Sequence, residues 1–148
     1  MNNRLIVVAH DEHDGLCEVD IINDDDESAI LEILELLNCS EESLSKNRLT
    51  LGSSNKDYIV FLDGKLDEHD QMTPDIVDID DSEENYTKGT KTLFVEADRY
   101  VICNEKNGEL ESLTEVDIEN IRRNTGCVLR NDITGFADYP CDVIRIRV

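Results

Sequence analysis

Acidic side chains are the residues of this chain whose number and spacing point most clearly to a chemistry. The 148 residues include 35 Asp and Glu against 14 Lys and Arg, which gives a formal net charge of -21. Ten of these acids fall between Asp63 and Glu84. Self-repulsion at this charge destabilises a folded domain, and solubility needs a net charge of only about 2 to 8. The excess indicates a partner with a strongly basic surface, and such surfaces usually bind nucleic acids.

Acids on regular elements approach the charge spacing of DNA. Each strand of a duplex carries one phosphate per ~3.4 Å of helix axis. A β-strand rises ~3.3 Å per residue and shows one face every second residue, so an acidic face presents one charge per ~6.6 Å. Two adjacent acidic elements therefore come close to the phosphate density. We predict that the partner-binding residues are Asp63, Asp67, Glu68, Asp70, Asp75, Asp78, Asp80, Asp81, Glu83 and Glu84, together with Glu32 and Glu35 on a helix.

These observations predict a non-enzymatic inhibitor that covers a basic nucleic-acid-binding surface of another protein by mimicking phosphates. Phage or plasmid anti-defence proteins, directed against CRISPR or restriction effectors, are a setting that suits such a chain. An immunity protein or antitoxin that neutralises a basic nuclease is the closest alternative, and a salt-adapted domain of unrelated function is another. Direct binding of nucleic acid is disfavoured because the chain would repel phosphates.

A metal-dependent enzyme using His10 and His13 is the alternative from another class. The two histidines stand among Asp11, Glu12 and Asp14, but they are three residues apart, whereas a zincin helix places them four apart with Glu between them. Phosphate-binding loops and nucleophile elbows are absent from the sequence. We therefore predict no catalytic residue, no metal ligand and no cofactor.

The five cysteines are odd in number and contain no C-x-x-C pair, which argues against a disulfide framework or a zinc knuckle. We predict free, buried thiols in a reducing cytoplasm, and Cys17 and Cys103 each lie in a strand-like run. The apolar run within the first ten residues, Leu5 to Ala9, is too short for a secretory signal. No apolar run in the sequence is long enough to span a membrane. The expected location is the cytoplasm, that of the host cell if the gene belongs to a phage.

The elements that position these residues can be read from hydrophobic periodicity. Residues 4–9 and 16–22 predict a hairpin with a turn from His10 to Gly15. Residues 27–38 predict a helix that buries Ile30, Ile33, Leu34 and Leu37 and turns Glu32 and Glu35 outward.

Further along the chain, strands are predicted at 48–52, 57–62, 92–95 and 100–104, and the acidic residues 63–90 form an edge strand or loop. Asn107-Gly108 predicts a tight hairpin returning through 109–113. A helix near 115–124 begins with a Thr114/Asp117 capping box and stops at Gly126. In a last strand, 142–148, we predict Ile144, Ile146 and Val148 inside and Arg145 and Arg147 outside. The sum is a single α+β domain over 1–148, mostly antiparallel sheet with two helices.

Overall fold

The computed structural model describes residues 4–11, 15–22, 26–52, 56–67, 90–131 and 138–147. Within these ranges every paired strand is antiparallel and two α-helices are present. The predicted α+β fold is therefore confirmed. The elements are β1 (Arg4–Asp11), β2 (Gly15–Ile22), α1 (Asp26–Leu37), β3 (Leu44–Thr50), β4 (Asp57–Asp63), β5 (Lys65–Asp67), β6 (Thr90–Glu96), β7 (Arg99–Lys106), β8 (Glu109–Glu111), α2 (Glu115–Arg123), β9 (Thr125–Asn131) and β10 (Asp138–Arg147).

The strands form two sheets that share one hydrophobic core. The first sheet has the order β2-β1-β7-β4-β3, with β8 added to β7, and the second has the order β5-β6-β10-β9. Alternate residues of both sheets meet in the core, and the segment of α2 closes one side of it. The buried residues of this core include Tyr58, Val60, Leu62, Tyr100 and Ile102 from the first sheet, Leu93, Val95, Ile144 and Ile146 from the second, and Leu113, Ile118 and Ile121 around α2.

Helix α1 covers the opposite face of the first sheet. Its buried residues Ala29, Ile33 and Leu37 share a second core with the sheet. Because β4 is covered on both faces, residues 58–62 are all buried, as a continuous apolar run in a central strand requires. Each apolar residue of β4 therefore stabilises one of the two cores.

A bent β-ribbon connects the two sheets. Strands β4 and β7 pair in the first sheet, with Leu62 opposite Tyr100, and β5 and β6 pair in the second, with Lys65 opposite Glu96. The ribbon bends where the chain crosses from one sheet to the other, at residues 63–64 on one side and 97–98 on the other. Residues 68–89 join β5 to β6 at the far end of this ribbon.

Both helices agree closely with the sequence prediction. The capping box of α2 is present, because the Thr114 side chain accepts from the Asp117 backbone N–H and the Asp117 carboxylate accepts from the Thr114 backbone N–H. Leu113 and Ile118, which flank this cap, are buried in the same core. No helix in the described ranges is long and apolar enough to span a bilayer.

Two predictions for the second half of the chain were wrong, the helix stop at Gly126 and the outward-facing Arg145, and one strand was not predicted. Helix α2 ends at Arg123, and Gly126 lies within β9, a strand that the periodicity did not indicate. Arg145, predicted to face outward, has only 2% of its surface exposed. Its Nε donates to Asn124 Oδ1 at 3.1 Å and its Nη2 donates to the Arg123 carbonyl oxygen at 3.1 Å. The guanidinium is buried because it satisfies the carboxyl end of α2, where a positive charge is favourable.

Candidate partner-binding surface

The predicted partner-binding residues divide between the described ranges and the rest of the chain. Asp63 ends β4 and is exposed, and Asp67 ends β5. On α1, Glu35 is exposed as predicted, whereas Glu32 is half-buried. The other eight residues lie outside the described residues, as does the predicted edge strand around Asp78 and Asp80: Glu68, Asp70, Asp75, Asp78, Asp80, Asp81, Glu83 and Glu84.

The described strands nevertheless fix both ends of the acidic segment, residues 68–89. The chain leaves the second sheet after Asp67, and it re-enters the sheet at Thr90 on the neighbouring strand. Asp67 stands opposite Phe94 in the ladder, and β5 is the last strand of the second sheet within the described ranges. Eight acids and one Lys are therefore carried by a connection whose two ends belong to adjacent strands.

An acidic cleft lies at the bend of the β-ribbon. It has a volume of about 340 Å³ and contains three carboxylates, of Asp11, Asp63 and Asp98, with Arg99 as its cation. The sequence prediction included only Asp63. Asp11 and Asp98 were missed because their proximity depends on how β1 and the β6–β7 crossing meet β4, which short-range periodicity does not indicate.

The carboxyl end of α1 forms one side of this acidic cleft. Leu37 and Asn38 line it, and Asn38 takes a left-handed backbone conformation with φ of 53°. The Asn38 N–H donates to the Glu35 carbonyl at 3.1 Å and the Cys39 N–H donates to the Leu34 carbonyl at 3.2 Å, which is a Schellman ending. The last turn of α1 has no basic residue. The partial negative charge of the helix end therefore adds to the carboxylates.

The negative charge around the acidic cleft affects the pKa of the Cys39 thiol. Burial raises the pKa of Cys39, and the negative charge of Asp63 raises it further, while a hydrogen bond with Ser43 acts in the opposite direction. The net shift is upward, so the thiol stays protonated at neutral pH. A neutral thiol adds no charge to this region, where the charged side chains are the three carboxylates and Arg99.

Several basic side chains form ion pairs with buried carboxylates. Lys46 and Arg48 both pair with Glu105, whose side chain is 6% exposed. Lys56 pairs with Asp117, whose side chain is 4% exposed. Three surface cations thus neutralise two interior acids, and they are not available to neutralise the exposed carboxylates.

Of the two histidines considered for catalysis, only His10 lies in the described ranges, and its contacts are structural. His10 lies in β1 and not in the predicted turn, with its ring stacked on Tyr100 and its Nε2 3.3 Å from Asp142 Oδ1. His13 falls outside the described residues. Across the described ranges, no group of three or more His, Cys, Asp or Glu side chains is placed to hold a metal ion.

The cysteines follow the prediction only in part. All five are free thiols, and Cys103 and Cys141 are buried, but Cys17 is exposed. Cys17 lies in β2 and pairs with Ala9. Its alternation with apolar residues indicated a strand correctly, but β2 is the outermost strand of the first sheet in the described ranges, and burial decreases there.

The chain matches no family model, and no curated protein or solved structure is significantly similar to it.

Proposed function

We propose that the protein is a non-enzymatic inhibitor that occupies the basic nucleic-acid-binding surface of a partner protein with carboxylates in place of phosphates. The observation that carries the proposal is the net charge of -21 together with the ten acids between Asp63 and Glu84. An anti-CRISPR or anti-restriction protein of a phage or plasmid is the form we propose.

The described geometry supports this proposal in two ways. The acidic segment follows β5 and precedes β6, two adjacent strands of the second sheet. At the bend of the same ribbon, three further carboxylates surround the acidic cleft. Acids anchored to a packed scaffold lose less conformational freedom on binding than acids on a free chain, which favours affinity.

The chemistry of the complex follows from the charges. Carboxylates of the acidic segment accept hydrogen bonds from Arg and Lys side chains that otherwise bind phosphate oxygens. The large negative field accelerates association, and added salt weakens it. No bond is made or broken, so inhibition is reversible and stoichiometric.

A pull-down with charge-reversed variants tests the proposal. In one variant, Glu68, Asp70, Asp78 and Asp80 are changed to Lys, and in a matched control Glu18, Glu41, Glu42 and Glu109 are changed to Lys. Each variant has a net charge of -13, and the four control residues are exposed. The immobilised proteins are incubated with a host-cell lysate at about 0.1 M and again at about 1 M salt, where the screening length falls from about 10 Å to about 3 Å.

We expect the wild type and the control variant to capture the same partner at low salt and to release it at high salt. The first variant should capture none of it, while its circular dichroism spectrum stays that of the wild type. Equal capture by both variants, or capture that survives high salt, would contradict the proposal. Capture of a nuclease encoded beside this gene would assign the same surface to an immunity role.

A further inference from the structure

A second cleft, which we call the His10 cleft, opens between the two sheets on the core side of β1 and β7. It has a volume of about 360 Å³, within the range of about 300 to 1,000 Å³ that is usual for small-molecule sites. Strands of both sheets and α2 contribute to it, so its shape is set by packed elements. Its lining includes His10, Leu16, Tyr100, Arg122, Thr125 and Asp142.

One wall of the His10 cleft is a rigid aromatic pair. The His10 and Tyr100 rings stack with their centroids 4.6 Å apart and an interplanar angle of 7°. The His10 Nε2 lies 3.3 Å from Asp142 Oδ1, which fixes the imidazole against the second sheet. Burial, and then the negative charge of Asp142, raise the pKa of the Tyr100 phenol above its ordinary value, so the ring stays neutral. The Tyr100 ring is itself buried, at 1% exposed, and supports the His10 ring, whose side chain is 12% exposed and is the aromatic group that an aromatic ligand can contact.

A donor and an acceptor of opposite charge also line the His10 cleft. Arg122 is exposed and pairs with no carboxylate among the described residues, whereas the adjacent Arg123 pairs with Glu119 at 2.5 Å. In a chain with 35 acids, an Arg left without such a pair beside a cleft has donors available for a ligand. Asp142 is half-buried, and a carboxylate accepts more hydrogen bonds than the contact with His10 uses.

We propose that the His10 cleft binds a small, uncharged aromatic carboxamide. Its ring packs against the His10 ring, which the buried Tyr100 supports, its carbonyl oxygen accepts from Arg122, and its amide N–H donates to Asp142. A carboxylate of the same shape offers no donor to Asp142 and is repelled by the negative field of the protein. An amidinium is attracted by that field, but it offers no acceptor to Arg122 and places its positive charge beside the Arg122 guanidinium, which opposes binding. The amide alone satisfies both side chains.

Three probes of nearly identical shape test this assignment: benzamide, benzoate and benzamidine. Each is titrated into the isotopically labelled full-length protein, and the amide signals of residues 125–127 are followed by NMR. We expect benzamide to shift these signals with a Kd on the order of 1 mM, the affinity reasonable for so small a probe. Benzoate and benzamidine should bind at least several-fold more weakly. Tighter binding of either charged probe, or the absence of any saturable shift, would overturn the proposal.

Variants of two adjacent arginines supply the control. Arg122→Ala should weaken benzamide binding about tenfold, the usual effect of losing a hydrogen bond to a charged group. Arg123→Ala removes the same charge one residue away, outside the cleft lining, and should leave the affinity unchanged. Equal affinity of Arg122→Ala and wild type would overturn the assignment. The outcome is independent of the proposed function, because none of these residues belongs to the acidic segment.

Discussion

At the scale of single residues, Asp117 shows how an acid of this chain becomes structural. Its carboxylate closes the capping box of α2 and also accepts from Lys56 Nζ at 2.9 Å and from Tyr58 Oη at 2.7 Å. Burial raises the pKa of Asp117, but the hydrogen bonds from Thr114, Lys56 and Tyr58 outweigh it, and the net pKa lies below its ordinary value. The sequence predicted the cap from local spacing, whereas the contacts with β4 required the tertiary fold.

Replacing Asp117 by Asn should lower the free energy of unfolding by about 1 to 3 kcal/mol at neutral pH, because the cap and two charge-assisted or buried hydrogen bonds are weakened. Since the folded-state pKa is lowered, the stabilisation by Asp117 is complete above the ordinary aspartate pKa of about 4 and is lost as the pH falls below it. Urea denaturation at several pH values measures both effects.

The control for Asp117 is Asp98→Asn, a change of the same kind at an exposed residue. It should alter the stability at neutral pH by less than about 0.5 kcal/mol. If Asp117→Asn were as stable as the wild type at neutral pH, or lost stability with acid as steeply as the wild type does, the role of this carboxylate would be refuted.

At the scale of elements, local sequence signals predicted the structure well wherever the conformation of an element is determined by its own sequence. The periodicity of α1, the first hairpin and the Asn107-Gly108 turn are confirmed. Strand β9 was missed because its apolar run is short, and Gly126 resembled a helix stop. The burial of Arg145 depends on where α2 ends relative to β10, a distance that no local pattern encodes.

The hairpin turn gives an element-scale prediction. Gly108 has φ of 83° and no atom lies within 4 Å of a Cβ added there, so a substitution is limited by backbone conformation alone. Gly108→Ala should therefore destabilise the fold by about 1 kcal/mol, the cost of a left-handed alanine. Thermal and urea unfolding of the variant measure this cost.

The matched control is Asn107→Gly, at the preceding turn residue with φ of 55°. Glycine adopts this conformation readily, so the change should be within about 0.5 kcal/mol of neutral. A Gly108→Ala variant as stable as wild type would show that the hairpin does not depend on this turn geometry.

At the scale of the whole molecule, the charge is divided unevenly between scaffold and acidic segment. The described ranges contain 22 of the 35 acids and 13 of the 14 basic residues, a formal charge of -9. The acidic segment alone has eight acids and one Lys in 22 residues. The sequence predicted this concentration directly, because charge is a property of composition. It did not predict the acidic cleft, which arises from the bend between the two sheets.

Competition with DNA is the measurement that tests the central claim most directly. A partner captured by the immobilised protein is titrated with short duplex DNA at constant salt, and the released partner is quantified. If carboxylates occupy the phosphate-binding surface, duplex DNA must release the partner completely, and the free protein must in turn prevent the partner from binding DNA. A partner that binds this protein and DNA at the same time would contradict the account.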